Sequence, residues 1–184
     1  MSNELFSLPN FLMLAGQQQN VGKTTLACKI ISGFSRRHSL VALKVSPHMH
    51  TNTGSAKLLE EGIGFQLFRE TETASNKDTA RMLMAGASEA FFLQAQKNGF
   101  HKGLNSFLGR IEPGALVVCE SAGVREFVKP GLFLVLRQLS CRICSLDDEK
   151  MFALADRIVT FTTNGFDMSM DELQVQEGKW SMVK

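Results

Sequence analysis

Between Phe11 and Ile31 the chain changes character twice. The apolar run Phe11-Leu-Met-Leu-Ala15 breaks at Gly16 into Gln17-Gln18-Gln19-Asn20, and Val21-Gly22-Lys23-Thr24-Thr25 then opens onto Leu26-Ala-Cys-Lys-Ile-Ile31. A strand, a loop and a helix are expected in that order. A loop of this kind aims backbone N–H groups and the positive end of the helix dipole at an anion. Lys23 adds a cation that reaches the outer phosphates of a nucleotide, and the Thr24 hydroxyl can ligate Mg²⁺. Residues 16 to 25 therefore read as a phosphate-binding P-loop. The alternative, a Gly-Lys-Thr of no consequence at a helix start, does not account for the order of the three elements.

The spacing is irregular. The common loop places a glycine, four free positions and then Gly-Lys-Ser/Thr. Counting back from Gly22, the first glycine falls at residue 17, which is Gln, while the glycine present is Gly16. Either the loop carries an extra position or Gln17 takes the backbone conformation that glycine normally supplies.

At 184 residues the chain is expected to form a single domain, 1–184, large enough for a substantial core. Its formal charge of +2 is too small to argue for nucleic acid or an anionic membrane as partner. No apolar run approaches a membrane span, and no basic segment precedes a long apolar one at the N-terminus, so a cytoplasmic location is expected. Cys28, Cys119, Cys141 and Cys144 do not imply disulfide stapling.

Beyond the P-loop, Leu26, Ala27, Ile30, Ile31 and Phe34 recur at helical spacing, and Leu40–Val45 is a compact strand with Lys44 near its end. Residues 46 to 77 are polar and irregular, with a short helix expected over Ala56–Glu61 and a strand through Ile63, Phe65 and Leu67. A helix over Asp78–Ala85, a strand over Glu89–Gln94 and a helix over Phe100–Ile111 follow. Ala115–Cys119, Leu132–Leu136 and Arg157–Thr162 read as strands, with a short helix at Met151–Ala155 before the last. The tail from Leu173 to Val183 alternates around Glu177-Gly178 as a hairpin. Strands alternating with helices predict an α/β fold, a three-layer doubly wound and mostly parallel sheet of the P-loop NTPase kind, closed by a C-terminal hairpin.

Ligands of such folds sit at the C-terminal ends of the strands. Glu120, directly after an apolar run, is expected beside the phosphates, where it holds Mg²⁺ or orients a nucleophile. Lys23, Lys44 and Glu120 are the candidate catalytic groups, and Thr24 and Glu120 the candidate Mg²⁺ ligands. Arg81 lies on the helix face of Asp78, to pair with it or with a ligand phosphate. Asn164 and Asp167 carry the outer residues of an Asn-Lys-x-Asp guanine reader without its Lys, a pattern that a plain Asn-Gly turn also explains. Asp147-Asp148-Glu149 reads as the charged first turn of a helix.

The Val21–Thr25 loop, the strand ending in Lys44, Lys77-Asp78-Thr-Ala-Arg81 with Ala85-Gly-Ala87, and the strand ending in Glu120 together resemble the molybdopterin-guanine dinucleotide biosynthesis adaptor protein family. That resemblance implies GTP as nucleotide, a partner enzyme of cofactor biosynthesis, and a homodimer. It also implies that Gly22, Lys23, Thr24 and Thr25 take the phosphates and Mg²⁺, that Asp78 and Glu120 are acidic ligands of Mg²⁺ or water, and that Lys44 faces the ligand. The long loop also resembles dethiobiotin synthetase and related ATP-dependent ligases, in which a strand-end Lys and Glu flank the nucleotide. His48 with His50, and Cys141 with Cys144, have spacings that suit a transition metal, as in nickel-delivering P-loop GTPases, or simple packing.

Overall fold

A computed structural model describes residues 5–18, 20–49, 54, 56–121, 123–138 and 145–183. Its centre is a nine-stranded sheet in the order β3-β4-β5-β2-β6-β1-β7-β8-β9. The strands are β1 (Phe6–Gly16), β2 (Leu40–Ser46), β3 (Lys57–Gly62), β4 (Phe65–Arg69), β5 (Glu89–Ala95), β6 (Leu116–Ser121), β7 (Val128–Gln138), β8 (Arg157–Thr162) and β9 (Gly165–Phe166). From β5 through β8 every neighbouring pair is parallel, and the antiparallel strands β3, β4 and β9 extend the two edges.

Alternation along β1 sends its side chains into two separate cores. Leu12 and Leu14 join Leu26, Ala27, Ile30, Ile31 and Phe34 of α1 (Lys23–Phe34) and Met82 of α2 (Asp78–Met84). Phe11 and Met13 join Phe100, Leu104 and Phe107 of α3 (Phe100–Leu108), with Met151 and Phe152 of α4 (Leu146–Ala153) packed on the same face. A strand buried on both sides is the signature of a sheet with helices on each face. The result is the expected three-layer, doubly wound α/β fold. The C-terminal hairpin also forms, as β10 (Leu173–Gln176) against β11 (Lys179–Met182), with Trp180 buried against Phe34.

Residues 57–69 differ from expectation. In place of a helix over Ala56–Glu61, Lys57–Gly62 is a strand paired antiparallel with Phe65–Arg69 across a tight turn. Gly64 holds φ +78, and Ile63 sits at the exposed tip instead of in the strand. The local Ala-Lys-Leu-Leu-Glu-Glu composition favours a helix, but pairing with β4 outweighs that weak preference. Other boundaries move as well: β1 starts at Phe6, β7 at Val128 and α4 at Leu146, and α3 ends at Leu108. Asp147, Asp148 and Glu149 occupy the first turn of α4 behind Ser145, whose hydroxyl accepts the Asp148 N–H at 3.1 Å. That is the capping role read from the sequence. No helix among the described residues is long and apolar enough to cross a membrane.

Candidate functional site

Helix α1 starts at Lys23, directly after Gly22, so the loop from β1 wraps the helix N-terminus. Its conformation settles the spacing question. Gln17 does not take a left-handed conformation; Asn20 (φ 59) and Gly22 (φ 94) do. Gly16 is needed for a different reason, because a Cβ there would lie 2.5 Å from Val21 Cγ1. The loop therefore carries its tight approach at 16 and its bend at 20 and 22. Gly22 is also pressed from outside, since a Cβ on it would stand 3.3 Å from the Phe166 ring and 3.4 Å from that of Phe161.

The loop borders a cavity of about 560 Å³ walled by Lys23 and Thr24 on one side and Lys44, Asp78, Arg81 and Glu120 on the other. Register places Lys44 of β2 beside Glu120 of β6, and Asp78 opens α2. The Thr24 hydroxyl donates to Glu120 Oε2 at 2.7 Å. Lys44 Nζ bonds the Asp78 carboxylate and lies 3.4 Å from Glu120 Oε1. Arg81 sits 3.7 Å from Asp78 and donates to the Thr25 hydroxyl at 3.3 Å. Lys23 donates to the Gln18 carbonyl at 2.8 Å.

The two lysines are tuned in opposite directions. Burial pulls Lys23 below the ordinary lysine value, although the nearby Glu120 charge opposes it. Burial also works against Lys44, but Glu120 and then Asp78 together outweigh it and hold that ammonium above the ordinary value. Lys44 is thus a secure cation between two carboxylates. The hydroxyl of Thr24 and the carboxylates of Asp78 and Glu120 are hard oxygen donors, the ligand type that suits Mg²⁺ when phosphates and waters complete the shell. The Thr24 contact to Glu120 shows that two of them already converge.

Other sequence candidates fall elsewhere. Thr163 and Asn164 form the turn between β8 and β9, and the Asp167 carboxylate accepts the Thr160 N–H at 2.7 Å. Neither Asn164 nor Asp167 is among the residues walling the P-loop cavity. His48 does line it, whereas Gln19, His50, Cys141 and Cys144 lie outside the described residues. Among the described residues no three His, Cys, Asp or Glu side chains gather into a metal cluster.

Glu70 was not read from the sequence. It is buried directly after β4, and its carboxylate accepts the Thr79 hydroxyl at 2.8 Å and the Thr71 and Glu72 N–H groups at 3.0 and 3.3 Å. It fastens the approach to α2 onto its first turn, next to Asp78. Unlike Glu120, it follows a charged residue, Arg69, so no apolar run pointed to it.

The order of the strands, the loop at the helix start and the flanking helices define a P-loop NTPase-like fold. A solved structure with this fold is that of LpxK from Aquifex aeolicus, an "apo" form in complex with ATP. It matches with a TM-score of 0.50 and 15% identity, over 85% of this chain and 50% of that one, so this chain spans about half its length. No family model and no curated protein matches the chain.

Proposed function

We propose that this protein binds a nucleoside triphosphate with Mg²⁺ and hydrolyses it slowly at most. The observation that carries this reading is the Thr24 hydroxyl bonded to Glu120 on the wall of the P-loop cavity. In that site Lys23 and the loop N–H groups hold the outer phosphates, and Thr24, Glu120 and Asp78 would hold Mg²⁺. The ion would supply charge neutralisation on the phosphates. Lys44 brings a fixed positive charge to the same place. Turnover is expected to be slow because Arg81 is engaged with Thr25 and Asp78 and, among the described residues lining the cavity, there is no glutamine to position a water.

The finer form of this reading is a GTP-binding adaptor like the molybdopterin-guanine dinucleotide family, supported by the sequence resemblance. A ligase of the dethiobiotin synthetase type is the second reading, favoured by the charged Lys44 at the strand ends, which would hold an acid substrate. A thermal-shift panel with ATP and GTP, with and without Mg²⁺, tests the shared claim. A nucleotide at about a hundred times its Kd stabilises by about 2.7 kcal/mol, and the larger shift identifies the base. No shift with either nucleotide overturns the reading.

A further inference from the structure

The acids of the P-loop cavity already have a cation. Lys44 Nζ bonds the Asp78 carboxylate and lies 3.4 Å from Glu120 Oε1, while Glu120 Oε2 accepts the Thr24 hydroxyl at 2.7 Å. The groups suited to Mg²⁺ therefore gather around one ammonium. That ammonium stands on a flexible four-carbon stem and presents donors only, so it satisfies carboxylates but cannot itself ligate a metal. Lysine and a divalent ion are thus alternative partners for the same two acids.

The charge of the cavity points the same way. Among the described residues its charged walls are Lys23, Lys44 and Arg81 against Asp78 and Glu120, a surplus of positive charge that His48 does not reverse in either protonation state. A free divalent ion would meet that surplus. It would also have to part Lys44 from its carboxylates, of which Glu120 is only 6% exposed. An ion carried on a nucleoside triphosphate faces no such opposition, because the complex is anionic as a whole and its phosphates offer the released ammonium a new partner.

We propose that Lys44 is a stand-in counter-ion that keeps free divalent cations off Asp78 and Glu120, so that the metal enters only as its complex with nucleotide. The inference rests on the nucleotide reading above and adds to it the form in which the ligand is taken. When the complex binds, the two acids exchange an ammonium for the metal; no covalent bond is made or broken and no proton moves.

Mn²⁺, an oxygen-seeking ion of the same charge as Mg²⁺, is the probe. Its free concentration is read by EPR, with a fluorescent nucleotide titrated in parallel. The nucleotide-free parent should take up no Mn²⁺ in this cavity at concentrations where, with a non-hydrolysable nucleotide present, it binds the ion stoichiometrically. Nucleotide-free Lys44→Met should bind Mn²⁺ at least about tenfold more tightly than the parent, a factor that one unit charge a few ångströms away supplies even at the dielectric of a protein surface. Lys44→Gln repeats the test should that variant fold poorly. Lys44→Arg, which keeps the charge, should remain closed to the free ion. Adding Glu120→Gln to Lys44→Met should abolish the gained site. Tighter uptake in either neutral variant, absent from the parent and from Lys44→Arg and lost with Glu120→Gln, supports the proposal. Saturable Mn²⁺ binding by the nucleotide-free parent at the affinity of the neutral variants, no gain in either of them, an equal gain in Lys44→Arg, or a gain that survives Glu120→Gln overturns it. Absence of nucleotide binding instead removes the underlying reading, and the nucleotide-free comparison of parent and variants still decides the role of Lys44.

Discussion

On the loop side of the cavity Lys23 gives its hydrogen bond to a neutral carbonyl, whereas on the strand-end side Lys44 lies between the carboxylates of Asp78 and Glu120. Both are lysines in the wall of one cavity, and burial acts against the charge of each. Only Lys44 has opposite charge close enough to outweigh that cost. A buried charge compensated by its neighbours is structural as well as functional, while one left mostly to a carbonyl is held at some expense to the fold and is available to an incoming anion.

The sharpest way to break this contrast is Lys23→Met. Fluorescent-nucleotide affinity should fall by about 100-fold, the worth of one or two charge-assisted hydrogen bonds to phosphate. The nucleotide-free variant should nevertheless melt no lower than the parent. The sign follows from linkage: a native value below the unfolded one means that the unfolded chain binds more protons in the window between them, so parent stability rises with pH there. Any advantage of Lys23→Met should be full at neutral pH and vanish as pH climbs toward the ordinary lysine value. A variant that melts well below the parent at neutral pH contradicts the picture.

Lys44→Met should do the reverse, costing stability directly. Removing one partner of a buried pair costs about 3–5 kcal/mol, and partial exposure of Lys44 and Asp78 reduces this to about 2 kcal/mol. Urea unfolding measures the loss, and millimolar Mg²⁺ should recover part of it by supplying charge to the same carboxylates. Unchanged stability would mean that the acids are well solvated without Lys44.

The smallest effect belongs to the loop backbone. Asn20→Gly relieves a left-handed residue (φ 59) but loosens the unfolded chain, so a net change of about 0.5 kcal/mol or less is expected in denaturant unfolding. Asn20→Ala, with no such freedom and no side chain to compensate, should be the less stable of the two.

The strand, loop and helix around residues 16 to 25 were legible in the sequence because they are local. An apolar run, a break and a helical repeat lie within residues 11 to 31, and each leaves its own period. Lys44 and Glu120 were legible by position, as groups at strand ends, and Asp78 through the family resemblance. The loop geometry was not: spacing left Gly16 and Gln17 ambiguous, and only the contact with Val21 explains why residue 16 lacks a side chain. Nor was the bond from the Gln17 amide to Asp148 at 3.1 Å, which joins residues far apart in the chain. The β3–β4 hairpin escaped because its helix-forming residues are overruled by partners on another strand. For Asn164 and Asp167 the sequence left a base reader and a plain turn both open, and the structure puts Asn164 in the β8–β9 turn and gives the Asp167 carboxylate a backbone partner.

The pressure of Phe161 and Phe166 on Gly22 carries a consequence for the order of events during synthesis. The phosphate loop is encoded near the start of the chain, yet one face of it is moulded by rings that emerge some 140 residues later. A nascent chain that has already made its loop and first helix lacks the outer brace of that loop until β8 and β9 dock. If the loop holds phosphate as proposed, that competence should therefore appear late and together with the closing edge of the sheet, not with the motif itself.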